Sequence, residues 1–355
     1  MGVAHLRALI CITVVLIVPV ASAHEIGTTQ VHALFRKDHT YVIQIVTAPQ
    51  ALLNKLEAGA GRPRSPQLPP AALNERLRAF APALAAASEI RFGGVRVAPN
   101  VTVKVPEMIE LSGPLPESAS NFTWRYNLTY AAYALTLQNE GHGEPARQWL
   151  EGDQTSAAFP IAGDIIPPSR LDIVRQYLAL GFTHIVPHGL DHILFVLGIF
   201  LLSTRLKPVL AQVTAFTIAH SITLGLTIYG LVSISPRVVE PAIALSIAYV
   251  AIENLTTSQL KPWRVAIVFA FGLLHGMGFA GVLKDLGLPR GQFLPALITF
   301  NVGVEAGQLT VIAAAWLLVA WWARTRPWYR HRFVMPASAL IAATGIFWTV
   351  QRIVV

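Results

Sequence analysis

The chain reads as an α-helical polytopic membrane protein of about six transmembrane helices, preceded by a soluble, mainly-β domain. Three observations predict this. Its 355 residues are 54% hydrophobic and only 13% charged, where soluble proteins carry about 25% charge. After residue 183 the apolar residues gather in stretches near the ~20 residues that a bilayer span needs. Before that point they alternate with period two, as half-buried strands do.

The first element, residues 1–23, is expected to be a secretory signal peptide. It has a short basic start ending at Arg7, an apolar core to Val20 and the small-residue site Ala21-Ser22-Ala23. Its removal would take away Cys11, the single cysteine, which excludes disulfides and cysteine-based metal chemistry from the mature chain. His24 would become the first residue. A free amino group beside an imidazole can chelate copper, so His24 is a candidate metal ligand.

Residues 24–167 are expected to form a periplasmic β-rich domain. Tyr41–Val46, Val95–Val97, Val101–Val105, Phe122–Tyr126 and Tyr133–Leu137 alternate as strands. A Pro/Arg-rich break at 61–70 leads into an Ala/Leu-rich helix over 74–87, so a small β-sandwich with one helical insertion is expected. His32, His39 and His142 are scattered like solvated residues, and no nucleophile or paired carboxylate stands out. The domain reads as a binding or docking module for a periplasmic partner. Residues 168–182 alternate charge with Leu171, Val174 and Leu178, which fits an amphipathic connector helix at the membrane surface.

Residues 183–355 then hold six apolar stretches: 183–203, 209–231, 240–258, 265–283, 293–320 and 333–351. The connectors after the first, third and fifth carry Arg205, Lys207, Lys261, Arg264, Arg324, Arg326, Arg330 and Arg332. The opposite connectors carry Arg237, Lys284, Arg290 and the terminal Arg352. The positive-inside rule places the first set in the cytoplasm and both mature termini outside. The net charge of +8 is therefore a topology signal. No Lys/Arg cluster with interleaved aromatics points to nucleic acid.

Polar side chains at bilayer depth mark function, because they are costly there unless they face a bundle interior or line a path. His184, His188, Asp191 and His192 fall at offsets 0, 4, 7 and 8, which on one continuous helix share a face. His220 and Ser221 follow Thr214 and Thr217 in the second stretch, the threonines reading as backbone-bonded residues. Glu253-Asn254, His275 and the series Asn301, Glu305, Gln308 occupy the next three. Neutral imidazole with carboxylate is a ligand set for Ni, Zn, Fe or Cu. The metal candidates are His188, Asp191, His192, His220, His275 and Glu305, with His184, Glu253, Asn301, Gln308 and His24 as additional ones. Gly189, Gly276, Gly278, Gly303 and Gly307 beside them would let helices approach closely.

The motifs His184-Ile-Val-Pro-His188-Gly189-Leu-Asp191-His192, Thr214-Ala-Phe-Thr-Ile-Ala-His220-Ser221, Phe271-Gly-Leu-Leu-His275-Gly276 and Phe300-Asn301-Val-Gly303-Val-Glu305-Ala-Gly307-Gln308 resemble the HupE/UreJ family of bacterial membrane proteins. The resemblance covers about 183–351 and implies a nickel or cobalt permease of the inner membrane. The family's first motif has five residues between His and Asp-His, so His188, Asp191 and His192 match it better than His184. Its second motif has two His and a Glu close together, whereas His275-Gly276 stands alone and Glu305 is the nearest acid. Transport of a divalent cation is the reading this supports, with nickel or cobalt as substrate and Zn, Fe or Cu allowed. No Walker-type phosphate cradle is present, so the membrane potential would drive it. The alternatives are an intramembrane metal-dependent enzyme or redox protein using the same ligands, and a membrane-anchored accessory subunit.

Overall fold

A computed structural model describes residues 29–104, 108–117, 119–129, 132–141, 145–161, 169–285 and 293–354, the side chains of 132 and 280–285 excepted. The expected signal peptide, Cys11, His24, His142 and Arg290 lie outside the described residues. The chain falls into two compact units, His24–Ser169 and Arg170–Val355.

In the first unit, strands β1 (Gln30–Phe35) and β2 (Thr40–Val46) form an antiparallel hairpin. Its turn places His39 at φ +59°, a left-handed conformation that an imidazole tolerates better than a β-branched side chain would. Three helices follow, α1 (Pro49–Gly59), α2 (Pro70–Arg78) and α3 (Ala81–Ala87), where one was expected. Proline in the first turn of each starts it where a backbone N–H is dispensable. Then come β3 (Ser88–Phe92), β4 (Val95–Val97), β5 (Asn100–Lys104), β6 (Met108–Pro114), β7 (Asn121–Tyr126), β8 (Ala132–Asn139), β9 (Ala146–Glu151) and β10 (Phe159–Pro160). One sheet runs β5-β6-β2-β1-β8-β9 and the other β10-β7-β3-β4, with β1 and β8 parallel.

The period-two pattern decides which side chains meet. Val31, Ala33 and Phe35 of β1 point inward beside Phe92, Phe122 and Trp124 of the second sheet. Phe35 meets Phe122 edge-on at 4.9 Å. Trp124 is fully buried, and its Nε1 donates to Tyr133 Oη at 3.0 Å, so the indole keeps a partner in the core. Glu57 of α1 is also buried, accepting from Ser65 N at 2.7 Å and Ser65 Oγ at 2.6 Å, with Arg76 paired at 3.3 Å. Those Ser65 bonds, aided by Arg76, hold the carboxyl below the usual carboxylate range.

The second unit is helical throughout: α4 (Arg170–Ile185), α5 (Leu190–Leu202), α6 (Leu206–Ile228), α7 (Pro236–Thr256), α8 (Arg264–Asp285), α9 (Phe293–Ala323) and α10 (Arg330–Val354). Helices α6, α7, α9 and α10 are long and apolar enough to cross a membrane, and α4 with α5 makes a fifth candidate bent by 67°. Among the described residues four to five of the six expected spans are candidates, and α8 adds an apolar helix over Arg264–Phe279. Three expectations are corrected. The amphipathic connector is not a separate helix, since α4 carries it directly into 183–185. The first span is not continuous, because Pro187 lacks a backbone N–H and disfavours helix at Val186. Arg264 and Arg352 are not loop charges either: both are buried and paired. Arg205, Lys207, Lys261, Arg324, Arg326 and Arg332 remain exposed.

Candidate metal centre

The break between α4 and α5 assembles the site. On a straight helix, eight residues would set His184 and His192 about 12 Å apart along the axis. The 67° bend brings their ring centroids to 4.8 Å. Gly189 permits the turn, since a Cβ there would stand 2.1 Å from the His184 carbonyl oxygen. His220 arrives from the middle of α6, and one ligand atom from each of His184, His192 and His220 lies within 4.8 Å of the others. His275 of α8 adds a fourth imidazole, its ring 5.0 Å from that of His192.

All four are buried, and their nitrogens are disposed as ligands need. His220 Nδ1 lies 3.1 Å from Asn301 Oδ1, and His275 Nδ1 lies 2.9 Å from the Phe271 carbonyl. Both partners only accept, so each Nδ1 carries the proton and each Nε2 keeps its lone pair. This is how outer hydrogen bonds orient metal-binding histidines. The Nε2 atoms of His192, His220 and His275 and both ring nitrogens of His184 are buried without a hydrogen-bond partner. Phe195, Phe216, Phe279 and Phe300 wall the rings. An unpaired buried polar atom costs about 1–3 kcal/mol, so a cluster of them has a use or a guest. The donor set fits a transition-metal cation.

Close helix approach depends on glycine at several places, two of them beside the site. A Cβ on Gly276 would meet the His220 carbonyl oxygen at 2.4 Å, so α6 and α8 touch backbone to backbone beside both histidines. A Cβ on Gly303 would stand 2.2 Å from the Leu178 carbonyl oxygen, which seats α9 against α4.

The other candidates lie outside this cluster. His188 sits exposed in the turn between α4 and α5. Asp191, next to His192, is held by Arg352, whose Nη2 donates to its two oxygens at 3.0 and 2.8 Å. Glu305, half-buried on α9, accepts from Thr214 Oγ1 at 2.8 Å and from Thr217 Oγ1. Thr217 also keeps the expected backbone contact, to the Val213 carbonyl at 3.2 Å, and both threonines reach the carboxylate besides. Gln308 is fully buried and bonds Thr217 at 3.0 Å. Glu253 pairs with buried Arg264 at 2.8 Å. Arg264 also reaches Gln212 at 3.0 Å and Asn254 at 3.3 Å. Arg264, Gln212 and Arg352 drew no functional reading from sequence. Their partners lie 10 to 161 residues away, beyond any local spacing rule.

The family described as HupE / UreJ protein matches residues 164–352, which spans nearly all of the helical unit. No curated protein and no solved structure matches the chain.

Proposed function

The chain belongs to the HupE/UreJ family, and from that premise we propose that it carries a divalent transition-metal cation, nickel or cobalt foremost, across the bacterial inner membrane. One observation carries the proposal: four buried imidazoles from α4, α5, α6 and α8 converge with unpartnered nitrogens among phenylalanines. Neutral nitrogen donors suit nickel, cobalt, zinc and copper, and disfavour magnesium and calcium.

A hydrated cation is captured on the outer side near His188, gives up waters to His184, His192, His220 and His275, and leaves inward. Asp191, next to His192 in the chain, and Glu305, a helical turn beyond the Asn301 that bonds His220, supply negative charge that offsets its two positive charges along the way. The membrane potential favours inward passage by about 2.3 kcal/mol per charge per 100 mV. The exposed basic connectors support an orientation with Arg205, Lys261 and Arg324 in the cytoplasm, which leaves the β unit periplasmic. Transport is favoured over metal-dependent hydrolysis because the nearby carboxylates are engaged elsewhere, Asp191 by Arg352 and Glu305 by threonines. Glu305, bonded to both threonines, is not free to act as a general base on metal-bound water.

The test is influx of radioactive nickel or cobalt into proteoliposomes. Wild type should exceed empty liposomes, while His192→Ala and His220→Ala, folded by circular dichroism, should fall to the empty level. Equal flux in all proteins would sink the proposal, and tight binding without flux would favour the enzyme reading.

A further inference from the structure

At the margin of the imidazole cluster stands a buried cation. The Arg352 side chain is 2% exposed, against 19% for Asp191, so the carboxylate keeps one open side while its guanidinium partner does not. Arg352 Nη2 grips Asp191, its Nη1 donates to the Glu240 carbonyl at 3.1 Å, and the guanidinium lies 5.5 Å over the Trp348 ring. It thereby ties α5 to α7 and α10. Arginine stays protonated under all working conditions, so Asp191 carries no net free charge while this contact lasts. His192, a ligand candidate, is the next residue in the chain.

From this geometry we infer that Arg352 is a tethered counter-cation of Asp191, which an incoming divalent cation must displace before it settles on His192. The inference rests on the metal reading above and adds a selectivity device to it. A doubly charged ion with open coordination positions competes for a bidentate carboxylate where a monovalent ion cannot, since the guanidinium already matches a single charge with two hydrogen bonds. Displacement also frees the last turn of α10 from α5, so ion capture and movement of that turn are coupled, and coupling acts reciprocally on binding.

The experiment uses the full chain in nanodiscs and measures nickel affinity by equilibrium dialysis for wild type, Arg352→Gln, Arg352→Lys, Asp191→Asn and the Asp191→Asn/Arg352→Gln pair. Arg352→Gln should bind about tenfold more tightly at unchanged stoichiometry, and Arg352→Lys should stay close to wild type. In the Asp191→Asn background the arginine change should have no effect. A purely structural arginine would instead lower the bound stoichiometry and leave affinity unchanged or weaker, and that outcome overturns the inference. Absence of binding in every protein, wild type included, would overturn the metal reading and this inference with it. Should Arg352→Gln fail to fold, spin labels at exposed Val238→Cys and Val354→Cys in a Cys11→Ser chain provide the second measurement. Zinc should change their separation, and an unchanged distance overturns the inference.

Discussion

The two units build opposite cores from the same alphabet. In the β unit the centre is apolar and aromatic, with Phe35, Phe92 and Phe122 in mutual contact and Trp124 hydrogen-bonded to Tyr133. Its buried carboxylate, Glu57, sits on a helix and is hydrogen-bonded on both oxygens. In the helical unit the outward face is apolar, with Ile218, Ile222, Leu245, Ile298 and Val302 exposed, while His192, His220, His275, Arg264, Asn254 and Gln308 are buried. A water-surrounded fold spends its interior on hydrophobic burial. A lipid-surrounded one gains little from that and relies on packing and interior polar bonds. The second interior is accordingly where chemistry can reside.

That contrast is broken or sharpened most by removing one anchor from each core. Trp124→Ala should destabilise the β unit by about 3–5 kcal/mol. Arg264→Met should cost the helical unit a similar ~3–5 kcal/mol, because it strands the half-buried Glu253. The chemical remedies differ. Adding Glu253→Leu to Arg264→Met should recover much of the loss, since a buried pair replaced by apolar groups is often neutral, whereas a second truncation near Trp124 should deepen the first. Thermal unfolding in detergent, with hydrogen exchange locating the loss, measures both. Full stability in Arg264→Met would show that the helical core does not depend on its polar pairs.

A smaller effect separates the ways in which elements meet. Gly276→Ala puts a Cβ 2.4 Å from the His220 carbonyl, and overpacking of this kind costs about 1–3 kcal/mol. Gly94→Ala in the β unit meets no atom within 4 Å, so its penalty comes only from the positive φ. Nickel binding should weaken in Gly276→Ala and be unaltered in Gly94→Ala, as read by dialysis.

What the sequence discloses follows the same division. Alternation exposes β2, β4, β5, β7 and β8, because a strand's two faces differ over consecutive residues. Helix α1 escapes notice because Leu52, Leu53 and Leu56 make too short a stripe against its Ala-rich surroundings. In the helical unit the polar residues are conspicuous, since each is out of place among apolar neighbours, and His192, His220 and His275 could be named from that alone. Their grouping could not. Treating 183–203 as one helix gives His188 and Asp191 the same face as His192. Pro187 is the visible signal that the helix ends there, and with the break His184 joins the cluster while His188 turns outward. The Asp191–Arg352 contact spans 161 residues, a distance over which only the folded chain brings charges together.

The smallest expected effect tests the claim that the β unit's buried carboxylate serves structure alone. Glu57 is held below the usual carboxylate range by Ser65, with Arg76 contributing less. A depressed carboxylate adds stability that is present above its unfolded value, and that stability disappears as pH falls through the folded value. Wild type should therefore lose stability below about pH 4.5, while Glu57→Gln should start lower at pH 7 and lose less on acidification. Local hydrogen exchange of residues 57–65 in the full chain resolves this, because Ser65 N donates directly to the carboxylate. Parallel pH dependence in the two proteins would mean that Arg76 and Ser65 merely surround Glu57. Metal binding should be indifferent to the change at every pH, since the imidazole cluster belongs to the other unit.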